Sequence, residues 1–183
     1  MKIETYSLDD DPFALDFAIS FPFPKEERIL LEESLASIDD HVPEEQILNP
    51  KGKILERAME KKLGPLGYIC SLNDPEKRCQ LWQPDYGHEA DFYSPAKKVS
   101  IEVEKTEVKR VVHDVLKLIN GSMTFVPKVR YGVLVIPYRY IRRSGKEGSF
   151  FSIVKRSLPF YFQKIMPEKC NLHDILIVVY HVR

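Results

Sequence analysis

Two unbroken apolar runs constrain the fold of this chain more than any other feature of its sequence. Residues 131–137 read YGVLVIP and residues 175–182 read ILIVVYHV. A strand with one solvated face alternates apolar and polar residues, so continuous runs indicate strands that are buried on both faces. Helices must then cover both sides of the sheet, and 183 residues suit one domain. The pattern predicts a single-domain α/β protein with a mixed central sheet flanked by helices.

The rest of the chain supplies shorter signals for helices and strands. Apolar residues at helical spacing predict helices over 25–38, 49–64, 107–120 and 150–165, with Gly121 ending the third and Pro159 interrupting the fourth. Short β-rich runs predict strands over 67–71, 78–82, 90–94 and 99–104. Residues 138–149 form a basic segment between two of these elements, and we expect a loop there.

Charge divides the chain into two parts although the formal net charge is zero. Residues 1–50 carry three basic and thirteen acidic residues, whereas residues 51–183 carry 24 basic and 14 acidic ones. This asymmetry predicts an acidic N-terminal segment, residues 1–48, attached to a basic core, residues 49–183. The segment could shield the core, contribute to a dimer interface or cover an edge of the sheet.

Composition argues against several classes of protein. The longest apolar runs are far shorter than the roughly 20 residues that a membrane-spanning helix needs. The N-terminal residues MKIETYSLDDD lack the apolar stretch of a secretory signal. The three cysteines, Cys70, Cys79 and Cys170, are scattered and form no CxxC pair, which argues against structural zinc or a disulfide framework. We therefore expect a reduced, cytoplasmic protein with no membrane contact.

The segment HEADFYSPAKKVSIEVEK, residues 88–105, carries the strongest chemical signal. If residues 95–98 form the loop of a hairpin, Phe92 lies opposite Ile101 and Asp91 lies opposite Glu102. The same register continued would bring Glu89 opposite Glu104. Side chains directly opposed across two strands lie about 5 Å apart. Alternation then predicts several carboxylates together on one face of the sheet.

Like charges opposed in this way destabilise a strand pair unless something compensates them. One interpretation is a solvent-exposed acidic face with no further role. The other is a site for a hard divalent cation such as Mg²⁺, which prefers carboxylate oxygens and can assist hydrolysis of a phosphodiester. No histidine lies at a comparable spacing, so zinc fits poorly.

Asp91 followed after ten residues by Glu102-Val103-Glu104 resembles the catalytic signature of the PD-(D/E)XK nucleases. More narrowly, it resembles the Bgl/Bam-like branch of type II restriction endonucleases, in which a Glu or Gln replaces the usual lysine. The order of upstream helix, hairpin, crossover helix and buried strand extends the resemblance over about residues 49–137. It implies a restriction-endonuclease-like fold and a Mg²⁺-dependent endonuclease that hydrolyses double-stranded DNA as a homodimer, with Mn²⁺ as an alternative cofactor.

The resemblance also implies roles for individual residues. Asp91 and Glu102 would bind the metal, and Glu104 would orient the attacking water. Glu56 would support the site from the upstream helix. Two alternatives stay open: Asp85, in a literal Pro-Asp pair, competes with Asp91 as the first acid, and Lys105 would replace Glu104 if the register shifted by one residue.

Basic residues outside the motif suggest where DNA would bind. Arg and Lys neutralise phosphates, and Arg also reads guanine through two hydrogen bonds. The candidates lie at the start of the helix after the motif and in the basic segment: Lys109, Arg110, Arg139, Arg142, Arg143 and Lys146. Each also fits an ordinary solvated surface.

Two other functions remain compatible with the sequence. The first is a structure-specific or repair nuclease on the same fold, because a fold does not determine its substrate. The second is a non-catalytic DNA-binding or interaction module whose acidic face is only surface.

Overall fold

The computed structural model describes residues 1–15, 19–38, 53–70, 81–83, 87–105, 107–141, 147–165 and 170–181. Its strands, in chain order, are β1 (Lys2–Ser7), β2 (Ile69–Cys70), β3 (Trp82–Gln83), β4 (His88–Glu89), β5 (Phe92–Ser94), β6 (Val99–Val103), β7 (Tyr131–Pro137), β8 (Arg139–Ile141), β9 (Glu147–Ser149) and β10 (Asp174–His181). Its α-helices are α1 (Lys25–Ala36), α2 (Ile54–Leu63), α3 (Val111–Thr124) and α4 (Phe150–Phe160).

Six of these strands form one mixed sheet in the order β1-β10-β7-β6-β5-β2. The three central strands β10, β7 and β6 are parallel, and the outer strands are antiparallel to their neighbours. The apolar runs of the sequence are β7 and β10, whose residues are almost all buried. This confirms the prediction of a single α/β domain with a mixed central sheet.

Helices cover both faces of the sheet because successive residues of the central strands point to opposite sides. On one face, α3 and α4 pack Leu118 and Val154 against Leu134 and Ile177. On the other face, α1 and α2 pack residues such as Leu31 and Met59 against the alternate residues of the strands. The result is a three-layer arrangement of the described elements, with the sheet between two pairs of helices.

Residues 2–7 form an edge strand beside β10, in a segment for which the sequence analysis predicted no element. Three predictions about local structure are wrong. Helix α3 continues through Gly121 to Thr124, because this glycine is buried within the helix. Residues 139–141 and 147–149 of the basic segment pair as β8 and β9 instead of forming only a loop. Glu89 does not extend the hairpin opposite Glu104, because it pairs with Trp82 in a separate two-stranded sheet.

The described helices include none that is both long and apolar enough to cross a membrane.

Candidate active site

The hairpin β5–β6 has the register that the sequence predicts, with Phe92 opposite Ile101 and Ser94 opposite Val99. Asp91 lies immediately before β5, and its Oδ2 accepts a hydrogen bond from the backbone N–H of Val103 at 2.8 Å. The side chain of Asp91 is therefore held beside the last residues of β6. Because β6 runs parallel to β7, this position is at the carboxyl end of the parallel strands, where α/β sheets tend to bind ligands.

Glu102 projects from β6 towards α3 and is fully buried. The Nζ of Lys117 donates a hydrogen bond to Glu102 Oε2 and lies 3.7 Å from Asp114 Oδ1. Asp114 and Lys117 are themselves buried, at 4% and 8% exposure. We call Glu102, Asp114 and Lys117, together with the half-buried Asp91, the buried cluster. The burial of Glu102 and Asp114 rules out the interpretation of this face as a solvent-exposed acidic surface.

Burial and mutual repulsion weaken the acidity of the carboxyl groups in the buried cluster. Burial raises the pKa of Glu102 well above its ordinary value. The positive charge of Lys117 lowers this pKa in part, whereas the negative charges of Asp91 and Asp114 raise it further. Burial likewise raises the pKa of Asp114 to about 7. Burial alone would lower the pKa of Lys117, but the neighbouring carboxylates raise it, so Lys117 remains an ammonium. The cluster is a site with an excess of acidic groups around one internal cation.

Glu104 lies just beyond β6 and is held by the backbone. Its Oε1 accepts hydrogen bonds from the N–H groups of Lys105 at 2.8 Å and Glu107 at 3.0 Å, so it fixes the turn that leads into α3. Its Oε2 lies 3.6 Å from Nε of Arg110, whose side chain is 57% exposed. Glu104 therefore links the interior of the site to a cation at the surface.

Lys105 and Glu56 form a buried ion pair apart from the buried cluster. The Nζ of Lys105 lies 2.9 Å from Glu56 Oε1 and 3.1 Å from Glu56 Oε2. Both residues are buried, and Glu56 belongs to α2, the helix on the opposite face of the sheet from α3. Lys53 adds a longer contact to Glu56 at 3.4 Å. The structure thus pairs these two predicted site residues with each other and not with Glu102.

Two oxygens of the buried cluster fit a cation. Glu102 Oε1 and Asp114 Oδ2 are buried and have no hydrogen-bond partner, although buried polar atoms are normally paired. Carboxylate oxygens are the ligands that Mg²⁺ prefers. No group of three His, Cys, Asp or Glu side chains within the described ranges is arranged as a ready metal site. The donor atoms suit Mg²⁺, but in this arrangement an ammonium group lies among them.

The predicted DNA contacts fall partly within the described residues. Lys109 and Arg110 lie in the 3₁₀ turn Val108–Arg110 that precedes α3, where Arg110 contacts Glu104, and Arg139 is the first residue of β8. Their side chains are 77%, 57% and 66% exposed, and Arg139 pairs with Glu147 at 3.1 Å. Arg142, Arg143 and Lys146 lie outside the described residues, as does Asp85, the alternative to Asp91.

Sequence reasoning missed Asp114 and Lys117 as members of the site. It predicted the helix over 107–120 but assigned neither residue to the site. A signal was present for Asp114, which lies three residues after Val111 and four before Leu118, both on the apolar stripe of α3. Lys117 lies three residues beyond Asp114 and shares its side of the helix. From this spacing, Asp114 and Lys117 could have been predicted to lie on the buried side of α3 and to contact the acids of β6.

Comparisons with known proteins identify the family and the fold of the chain. A family model described as "Putative halobacteria restriction endonuclease" matches residues 37–179. The chain belongs to this family. The restriction-endonuclease-like fold that the motif implied is thereby confirmed, and a solved structure supports it independently. That structure, restriction endonuclease BglII complexed with a DNA 16-mer, superimposes with a TM-score of 0.63 at 11% sequence identity. The match covers 99% of this chain and 77% of BglII. No curated protein matches the sequence.

Proposed function

We propose that this chain is a Mg²⁺-dependent endonuclease that hydrolyses phosphodiester bonds of double-stranded DNA. The observation that carries the proposal is Glu102, a fully buried carboxylate with one unpartnered oxygen at the carboxyl end of β6. Membership of a restriction endonuclease family supports the reaction class. The DNA bound in the BglII structure supports the substrate class.

In this proposal Asp91 and Glu102 hold the metal with carboxylate oxygens. When bound there, Mg²⁺ would stabilise the negative charge that develops during displacement at the phosphorus atom, and Mn²⁺ could take its place in the site. Glu104, fixed by the N–H groups of Lys105 and Glu107, orients the attacking water and takes its proton. Glu56 and Lys105 act in support, because their ion pair anchors α2 to the residue that follows Glu104.

DNA would approach the end of the sheet at which the cluster lies. Arg110 and Lys109 are exposed beside Glu104, and Arg139 follows β7, the strand next to β6. Arg142, Arg143 and Lys146 remain further candidate DNA contacts on the sequence alone, because they belong to the same basic segment as Arg139. These cations would neutralise phosphates on either side of the scissile bond.

We propose that the active form is a homodimer. Cutting both strands requires two hydrolytic events, and the described residues contain one buried carboxylate cluster of this kind. Sedimentation velocity in the presence of duplex DNA should give a species with two protein chains. A monomer that cuts both strands at matched positions would contradict this part of the proposal.

The test of the function is cleavage of a mixed-sequence duplex pool by the purified chain with Mg²⁺, with Mn²⁺ and with EDTA. Single-stranded and branched DNA of the same composition serve as comparison substrates. We expect cutting of duplex DNA that EDTA abolishes and added Mg²⁺ restores. Intact DNA under all conditions would contradict the enzymatic proposal, and preferential cutting of branched DNA would favour a repair nuclease. Cutting in EDTA would contradict the role of the metal.

A further inference from the structure

The position that a metal would take in the buried cluster lies next to a cation of the chain itself. Lys117 Nζ donates to Glu102 Oε2, one of the two oxygens that this residue could offer. The other, Oε1, is buried without a partner. An ammonium and Mg²⁺ repel each other, and a carboxylate already neutralised by one attracts the other less. Lys117 and the metal therefore compete for the same carboxylate.

Asp114 provides a second place for the ammonium. Its Oδ1 lies 3.7 Å from Lys117 Nζ, longer than a hydrogen bond, and its Oδ2 is buried without a partner. The two residues are three positions apart on α3, so a small change in the Lys117 side chain would bring Nζ to Asp114 without moving the helix. Full transfer to Asp114 would release Glu102 while keeping the ammonium paired, which a buried charge requires.

We propose that Lys117 is an internal counter-ion that excludes a divalent metal from Glu102 until its ammonium passes to Asp114. This inference rests on the proposed function, because it takes Glu102 to be a metal ligand. It explains why the described residues hold suitable donor atoms and no ready metal site. Lys117 is therefore a positioning residue. It controls when the metal can bind Glu102 and takes no part in the hydrolysis itself.

The first experiment measures Mg²⁺ and Mn²⁺ binding by calorimetry, without DNA, for the full chain and Lys117→Met. Methionine keeps much of the side-chain volume and removes the charge. We expect Lys117→Met to bind metal at least about 10-fold more tightly than the natural chain, because the repulsion between the ammonium and the metal is removed. Lys25→Met, a change of an exposed lysine on α1, should leave the affinity unchanged. Equal or weaker binding by Lys117→Met would overturn the proposal.

Loss of Lys117 also leaves the carboxylates of the cluster without their internal cation, so the variant should be less stable without metal. Mg²⁺ should then raise its melting temperature more than that of the natural chain, since a ligand stabilises the state that binds it. The same rise in both proteins would count against the proposal. If Lys117→Met does not fold with Mg²⁺, the metal affinity and the rise in melting temperature are measured on Lys117→Gln instead.

A double-variant cycle tests the role of Asp114. Asp114→Asn alone should weaken metal binding, because the carboxylate that would receive the ammonium from Glu102 is gone. Asp114→Asn combined with Lys117→Met should bind as tightly as Lys117→Met, since the ammonium is gone. If the combined variant stays weak, Asp114 is itself a metal ligand and the transfer step is wrong.

Failure of this proposal is distinguishable from failure of the proposed function. Tight metal binding by Lys117→Met, together with intact DNA in every cleavage assay, would keep the counter-ion role and remove the nuclease function. Metal-dependent cleavage by the natural chain, together with unchanged binding in Lys117→Met, would keep the nuclease and overturn the counter-ion role.

Discussion

At the scale of single residues, burial decides what each acid of this chain can do. Glu104 is fixed by backbone N–H groups, Glu56 by the ammonium of Lys105, and Glu102 by the ammonium of Lys117. The three glutamates therefore have different partners although all lie near the end of β6. The sequence predicts which face of the sheet the acids of β6 occupy, but it does not show which cation pairs with each carboxylate. The buried acids outside the site, such as Asp174, follow the same rule.

Asp174 gives a pH-dependent prediction at this scale. It is fully buried at the start of β10, and its carboxylate accepts hydrogen bonds from the N–H groups of Leu8, Phe23 and Ile175. Burial raises its pKa from 3.8 to about 6, partly opposed by these hydrogen bonds and by one from Ser7. Between about pH 4 and 6 the folded chain thus holds a proton that the unfolded chain has lost.

The free energy of unfolding that Asp174 contributes should therefore fall as pH rises through this window, by about 2 to 3 kcal/mol. Chemical denaturation of the natural chain and of Asp174→Asn at several pH values isolates the effect as their difference. The natural chain should lose stability relative to the variant from pH 4 to pH 6. A constant difference across that range would contradict the assignment.

The ion pair of Lys105 and Glu56 gives a second prediction. Lys105→Met removes one partner and leaves Glu56 with only the longer contact to Lys53, so we expect a loss of about 3 kcal/mol in the free energy of unfolding. Replacing both residues with methionine removes the buried charges together and should return stability to within about 1 kcal/mol of the natural chain. A single variant as stable as the natural chain would show that the pair does not anchor α2.

At the scale of elements, helix α3 must lie close to β7 to bring Lys117 to Glu102. Gly132 of β7 allows this approach: a Cβ added there would lie 2.6 Å from Leu118 Cδ1 and 3.4 Å from Ile175 Cγ1. Leu118 is the residue after Lys117 and is fully buried, so any shift of its side chain must displace buried neighbours. The glycine therefore sets the distance between the helix and the sheet.

Gly132→Ala should lower the free energy of unfolding by about 1 to 3 kcal/mol, because the added methyl group overfills the contact with α3. The matched control is Val126→Ile, which also adds one methyl group but at a side chain that is 94% exposed. That change should alter the free energy of unfolding by less than about 0.5 kcal/mol. Equal thermal stability of the two variants would contradict the close packing of α3 on β7.

Element patterns explain what could be predicted and what could not. The register of β5 and β6 was predictable because a four-residue loop and alternating polarity leave one pairing that keeps Phe92 and Ile101 on the same face. The strand β1 was not, since KIETYS alternates within a segment dominated by acidic residues and prolines. The roles of Asp114 and Lys117 depend on how closely α3 approaches the sheet, which helical periodicity does not specify.

At the scale of the whole molecule, the uneven distribution of charge bears on DNA binding. A protein with zero net charge gains no attraction to DNA from its total charge, so binding must come from local cations. The exposed side chains of Lys109, Arg110 and Arg139 lie towards the same end of the sheet as the buried cluster. Attraction of this kind depends on the release of counterions from phosphates and weakens with salt.

DNA affinity of the uncleaving Glu102→Gln variant should therefore fall steeply with salt, by about 10³-fold between 50 mM and 200 mM if six phosphates are contacted. Adding Arg139→Gln to that variant should reduce the slope of log affinity against log salt by about one unit. Adding Lys25→Gln, on the distant helix α1, should not alter the slope. Affinity that is independent of salt would contradict a surface built on phosphate contacts.

The central claim is that the carboxylate of Glu102 serves metal-dependent cleavage of DNA. Its most direct test compares Mg²⁺-dependent cleavage of mixed-sequence duplex DNA by the natural chain, by Glu102→Gln and by Glu26→Gln. Glu26 is an exposed glutamate on α1, so its change is chemically identical and lies outside the site. We predict that Glu26→Gln cleaves like the natural chain, whereas Glu102→Gln stays folded and loses at least about 10²-fold in rate. Cleavage by Glu102→Gln at the natural rate would contradict the account.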